Sequence, residues 1–304
     1  MNRRVLTVFV LTFLFGMFSG NGLEPEGRGP QYGTKPSIPG IPVYRFAVHP
    51  LHNPAKLLQV YQPLIDYLND RLPGTHLQLE ASRAYANFEG KYGARKPEFL
   101  LPNPWQTLQA MKKGYHVIAT AGEAKDFKGV FVVRKDSGIK KPGDLKGKAV
   151  SYPSPTALAA CIMPQYFLYS HGLDVNQDIE NRYVGSQESS IMNVYLGKTA
   201  AGATWPPPWR DFQTEHPREA AELEAVWETE PLINNSVMVR DDVPAGIRDL
   251  VRSLLVGLQE TAEGRSILAG METAGFIPAS DEDYHVVRDY VERFEREVRE
   301  VEKK

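Results

Sequence analysis

The sequence predicts an α/β fold built on largely parallel sheets. Three observations carry the prediction. Short β-rich runs alternate with segments whose apolar residues recur at helical spacing, a pattern that covers both faces of a parallel sheet with helices. Residues 144–205 hold two strand-to-helix junctions whose helix starts can face one ligand. A chain of 304 residues, 42% hydrophobic and 24% charged, is long enough for one large or two moderate domains.

The chain opens with Met1-Asn-Arg-Arg4, an apolar run over residues 5–18, and the small residues Ser19, Gly20 and Gly22. That is the layout of a secretory signal, assigned here to residues 1–22. The run is shorter than the ~20 apolar residues of a spanning helix, which favours cleavage. No cysteine follows it to carry a lipid anchor, and Cys161, the only cysteine, excludes an intrachain disulfide. Residues 23–41, rich in Gly, Pro and charge, read as a flexible leader.

Residues 43–48 alternate as a first strand and end in His49-Pro-Leu-His-Asn-Pro54. Leu57, Leu58, Tyr61, Leu64, Ile65 and Leu68 then define a helix that Pro73-Gly74 stops and Pro63 should kink. A strand at 75–80, a short helix at 84–92, a strand at 98–101, a helix opening at Pro102-Asn-Pro-Trp105, and strands at 115–120 and 130–133 follow. At the first central junction a short apolar strand and a Pro/Ser turn precede a helix starting near Thr156, with Ser154 as its cap and Pro155 at its first position. At the second, Gly185 and Ser186 open a helix through Leu196. A strand at 200–204 runs into Trp205-Pro-Pro-Pro-Trp209, a rigid pair of indoles at a strand end, where α/β sheets bind ligands. Beyond it lie a charged helix at 217–225, a strand at 234–240, and helices at 247–258, 264–271 and from Asp281 onward.

A net charge of −2 with dispersed basic residues argues against a nucleic-acid groove. No glycine-rich phosphate loop, Gly-x-Ser-x-Gly elbow or His-Glu-x-x-His is present, so an enzyme is not the favoured class and no cofactor is implied. His49 and His52 bracket one turn, but Cys161 is distant and inside a helix, so no metal site is assigned.

Asp144-Leu-Lys-Gly-Lys-Ala-Val, the Pro-initiated helix ending at Pro164, and Gly185-Ser186 with a polar-acidic pair resemble the second lobe of the phosphate/phosphite/phosphonate-binding proteins, periplasmic solute receptors of ABC transporters. The similarity runs from about Tyr44 to the last helix. It implies a two-lobed periplasmic binding protein of the class II type, each lobe a mainly parallel sheet flanked by helices. Residues 42–137 and 233–304 would form lobe 1 and residues 138–232 lobe 2, joined by two crossing segments. The implied function is that of a periplasmic, monomeric receptor passing a small, anionic molecule, phosphonate, phosphate or a related oxyanion, to an ABC permease. A sensor working with a histidine kinase or chemoreceptor is the alternative, and a secreted enzyme is a third class.

The expected cleft brings His49, His52, Asn53, Asn103 and Trp105 of the first lobe to Ser154, Thr156, Ser186, Gln187, Glu188, Thr204 and Trp205 of the second. Trp105 stands where the family commonly has a pocket tyrosine, although Leu101 and Leu108 beside it also suit a core position. Gln187 and Glu188 match the family's histidine-acid pair, and Glu188 is either an amine contact or a first-turn carboxylate favoured by the helix dipole. One departure stands out: the family's hydroxyl-rich turn is here Ala157-Leu-Ala-Ala160, so only Ser154 and Thr156 keep hydroxyls. Backbone N–H groups would then have to hold the anion. Cys161 is either a thiol for a soft oxyanion such as arsenite or a buried structural residue.

Overall fold

The computed structural model describes residues 40–301; the expected signal and the leader as far as residue 39 lie outside the described residues. Strand β1 (Val43–Val48) pairs in parallel with β2 (His76–Glu80) on one side and β3 (Phe99–Leu101) on the other. Helices α1 (Pro54–Asn69) and α2 (Tyr85–Gly93) connect these strands, and α3 (Pro104–Met111) leads on to β4 (Tyr115–Ala121). Helix α1 begins where the Asn53 side chain accepts the Lys56 N–H and Pro54 has no N–H to satisfy. It buries Leu57, Tyr61, Leu64, Ile65 and Leu68, and passes Pro63 without a break.

From β4 the chain crosses through residues 122–129 into a second sheet. There follow β5 (Val130–Arg134), β6 (Ala149–Tyr152), a π-helical turn (Leu158–Ile162) continued by α4 (Met163–Ser170), β7 (Glu180–Tyr183) and α5 (Gln187–Tyr195). Next come β8 (Ala201–Thr204), α6 (Pro206–Glu215), α7 (Pro217–Ala220) and β9 (Leu223–Glu228). The chain returns through 229–235 and inserts β10 (Ser236–Arg240) between β3 and β4, before α8 (Ala245–Val256), α9 (Ala262–Gly270), β11 (Phe276–Pro278) and α10 (His285–Glu297). Strand orders are β11-β4-β10-β3-β1-β2 and β7-β6-β8-β5-β9. The crossing segments lie side by side: the Thr229 N–H donates to the Gly129 carbonyl (2.9 Å), and the Leu232 N–H to that of Phe127 (2.9 Å).

The two-lobed α/β class stands, with four differences from the expected details. The sheets are mixed, because β10 enters the first antiparallel to both neighbours and β5 enters the second antiparallel to β8 and β9. Strand β5, which a boundary after Ser137 would leave with the first lobe, pairs with β8 and β9 of the second sheet. Part of the helix expected at 217–225 is strand β9, an edge strand whose exposed Glu224 and Glu228 imitate a solvated helix face. The three prolines after Trp205 open α6, where a first turn has no use for their missing N–H groups.

The C-terminal helices pack on the first lobe, as Val287, Val291 and Phe294 of α10 join its core. The end of α10 also reaches the second lobe. Tyr166 donates to Glu297 (3.0 Å), and Arg299 donates to Gln165 (2.8 Å) and to the Pro155 carbonyl (3.2 Å).

Helix α5 is pinned to its sheet by buried hydroxyls. Ser151 donates to the Ser190 carbonyl (2.8 Å), and the Ser190 hydroxyl reaches the carbonyls of Ser151 (2.9 Å) and Ala203 (2.8 Å). The approach is possible because Gly202 has no side chain: a Cβ there would lie 2.5 Å from the Ser190 carbonyl oxygen and 3.0 Å from the Ser151 hydroxyl. Gly202→Ala should therefore cost ~1–3 kcal/mol in denaturant unfolding, and an unchanged midpoint would show that α5 is not held by this contact.

Candidate functional site

Strand ends and helix starts from both lobes meet round a small cavity. Its walls are His49, Tyr85, Asn103 and Asn235 from the first lobe, Phe127 from a crossing segment, and residues 157–160, Gln187 and Trp205 from the second.

On the first-lobe side, the backbone N–H of His49 donates to the Leu101 carbonyl (3.0 Å), and Nδ1 lies 3.0 Å from the same oxygen. A carbonyl only accepts, so Nδ1 carries the hydrogen and Nε2 keeps a lone pair. Burial holds this imidazole down to about 4, against the opposing pull of the Leu101 carbonyl. Asn103 caps α3 with a reciprocal Gln106 contact, and its Nδ2 donates to the Thr156 carbonyl of the second lobe (3.2 Å). Asn235 presents a buried Oδ1 with no hydrogen-bond partner. Tyr85 stands edge-on to His49, 6.2 Å between ring centres, and its hydroxyl receives Nε2 of Gln187 (3.3 Å).

On the second-lobe side the helix starts later than Thr156. Ser154 Oγ accepts the Thr156 N–H (3.3 Å), the Thr156 hydroxyl donates to Glu89 of α2 (2.7 Å), and the helix begins at Leu158. Its first turn is wide, with the Ile162 N–H reaching the Ala157 carbonyl (3.1 Å). Pro164 explains the widening, since it has no N–H to give an α-helical bond to Ala160. Among the described residues, the N–H groups of 158–161 find no acceptor. Gln187 opens α5 with its Oε1 accepting from Thr204 (2.9 Å), so Thr204 acts by positioning Gln187. Trp205 packs its ring 5.7 Å from that of Phe127 and forms an apolar wall.

Several expected residues lie elsewhere. Trp105 is buried against α10, in a groove with Leu108, Met111 and Val291, and does not line the cavity; its place is taken by Tyr85. Ser154 and Thr156 spend their hydroxyls on each other and on Glu89. His52, Asn53, Ser186 and Glu188 line a separate groove at the mouth, together with Lys56, Asp211, Glu215 and His216. There Lys56 of the first lobe pairs with Asp211 (3.2 Å) and Glu215 (2.9 Å) of the second, and His216 sits 3.5 Å from Glu188. His52 is held down to about 3 by burial and then by Lys56, which lies closer to Asp211 than His52 does at 3.6 Å. Cys161 faces the second core, where burial pushes its thiol up to about 12, and it does not line the cavity.

Tyr85, Phe127 and Asn235 were not legible as site residues. Asn235 had one signal, a polar pair, Asn234-Asn235, inside a segment expected to cross between lobes.

A cavity formed by two lobes on two crossing segments, with free helix N–H groups and no charged side chain in its lining, defines a receptor for small solutes. Relatives agree. A sequence model of the family described as "ABC transporter, phosphonate, periplasmic substrate-binding protein" matches residues 46–284. A protein of Prochlorococcus marinus (strain MIT 9301), described as a probable ABC transporter phosphite binding protein, PhnD1, is 25% identical over 186 residues. That alignment covers 57% of this chain and 63% of the relative, so the chain matches less than two thirds of its length. The crystal structure of that PhnD1 in complex with methylphosphonate has a TM-score of 0.76 at 20% identity, covering 84% of this chain and 98% of that one. A binding protein component of an ABC phosphonate transporter from Pseudomonas aeruginosa has a TM-score of 0.77 at 15% identity, covering 84% and 87%. At these identities the structural likeness shows the fold. The chain belongs to the phosphonate-binding family of periplasmic substrate-binding proteins of ABC transporters, a family of receptors rather than enzymes. Among the described residues no helix is long and apolar enough to cross a membrane.

The two histidines make the folded state acid-sensitive. Both are held below the ordinary 6.5, so the unfolded chain takes up protons first as pH falls. Stability should be complete above about 6.5 and decline from there towards about 4, with His49 alone accounting for on the order of 3 kcal/mol. Melting temperature measured against pH checks this, and a flat profile through that window would refute it.

Proposed function

We propose that this receptor binds a small phosphorus oxyanion, a phosphonate or phosphite, in the cavity between its lobes and delivers it to an ABC permease. The observation that carries the reading is the π-helical turn, whose N–H groups at 158–161 have no acceptor among the described residues and whose residues 158–160 line a cavity without charged side chains. A helix start concentrates donors and the positive end of the dipole at one point, which favours an anion. The π turn compensates for the missing hydroxyls: after the cap at Ala157 it frees the N–H of Cys161, which an α turn would use internally. Trp205 and Phe127 give the ligand's substituent an apolar wall. We assign residues 42–121 and 236–301 to the first lobe and 130–228 to the second, on the basis of sheet membership.

Thermal-shift and calorimetric titration with phosphite, methylphosphonate, phosphate and methanesulfonate test the reading. A true ligand at 100 times its Kd adds about 2.7 kcal/mol of stability. Trp205→Ala should weaken binding by ~1–3 kcal/mol, the value of a lost aromatic wall. Cys161→Ser and Trp105→Ala, wherever they remain folded, should bind as the parent does. Normal binding by Trp205→Ala would put the site elsewhere.

A further inference from the structure

The polar groups facing the cavity include acceptors as well as donors, and this says which form of the oxyanion is taken, given the reading above. Most of the lining's hydrogen-bonding capacity is already used. Asn103 caps α3 and donates to Thr156, while Gln187 accepts from Thr204 and donates to Tyr85. The donors that remain are the N–H groups of the helix start, the hydroxyl hydrogen of Tyr85, the indole N–H of Trp205 and the amide N–H groups of Asn235. The acceptors that remain are Nε2 of His49, since Nδ1 is committed to Leu101, and the unpartnered buried Oδ1 of Asn235. An oxyanion stripped of all its protons offers only acceptors, so it would set an oxygen against a lone pair at His49. A double charge also meets a lining with no Lys or Arg, and the cost of desolvating an ion grows as the square of its charge.

We infer that the site selects the singly protonated, singly charged form of the oxyanion, its O–H donating to Nε2 of His49, which makes His49 the residue that determines specificity for protonation state. The groups facing His49 leave its imidazole neutral. Tyr85 of α2 stands beside it, and His52 on the same loop turns to Asp211 with Lys56 beyond. The second lobe contributes only Gln187, the π turn and Trp205. Burial, which keeps the ring's pKa near about 4, acts in the same direction. The proton count of the complex is the same whether that proton rests on the ligand oxygen or on Nε2.

Calorimetric titration of the full protein with methylphosphonate and phosphite, on both sides of each ligand's second ionisation, tests this. The Kd should be constant below that ionisation and rise about tenfold per pH unit above it, where binding should take up one proton in buffers of differing ionisation enthalpy. Methanesulfonate, which has no such proton, should bind at least ~tenfold more weakly with a flat profile. His49→Phe, checked for folding by its melting curve, should lose the discrimination between methylphosphonate and methanesulfonate. A flat profile for the parent protein, absence of proton uptake, or an unchanged slope in His49→Phe overturns the inference and leaves oxyanion binding intact. Failure of every oxyanion to bind would overturn the receptor reading itself.

Discussion

The N–H groups of residues 158–161 find no acceptor among the described residues, and much of the cleft is arranged round that constraint. In a turn made of Ala, Leu and Ala, no side chain carries a hydroxyl, so this turn offers the cavity only its backbone N–H groups. Pro164 widens the turn, and Gly129 lets a crossing segment lie directly on it: a Cβ at Gly129 would fall 2.7 Å from the Ala159 carbonyl oxygen and 2.8 Å from the Pro164 ring. The crossing segment and the π turn are therefore one packed unit. A change in the angle between lobes moves the donors together with the segment that carries them.

The lobes meet through contacts of differing strength. Deep in the cleft, Asn103 to Thr156, Thr156 to Glu89 and Gln187 to Tyr85 are buried or half-buried hydrogen bonds, whose loss would strand polar groups. At the mouth, Lys56 with Asp211 and Glu215, and Arg210 with Glu272, are more exposed ion pairs of small net worth. The deep contacts set the geometry of closure, and the outer pairs add little to its stability. A ligand shifts a balance between open and closed forms only by what it gains in the closed one.

How far the sequence foretold this depends on the kind of signal. Strands and helices with clear apolar period were legible, from β1 and α1 to α10, because burial of one face is written in the residue spacing. Strand β9 was not, since an edge strand bearing glutamates has the composition of a helix surface. Gln187 and Trp205, expected from their positions at a helix start and a strand end, line the cavity. Tyr85 and Asn235 were missed because a cleft is assembled from segments far apart in the chain, and nothing local marks a side chain as facing it. Trp105 has the same ambiguity: an aromatic in the first turn of α3 can face the cleft or α10, and here it lines a groove against α10.

The distribution of charge completes the physical account. Ionised side chains ring the mouth and are already paired with one another, whereas the cavity holds only dipoles, hydroxyls, amides and one neutral imidazole. A buried lysine or arginine would attract any oxyanion through its charge and would itself need a counter-ion whenever the ligand left. Oriented N–H groups carry no such cost in the free receptor, and their attraction depends on where each ligand oxygen sits. Attraction by such a lining is thereby tied to shape and hydrogen-bond pattern more than to total charge.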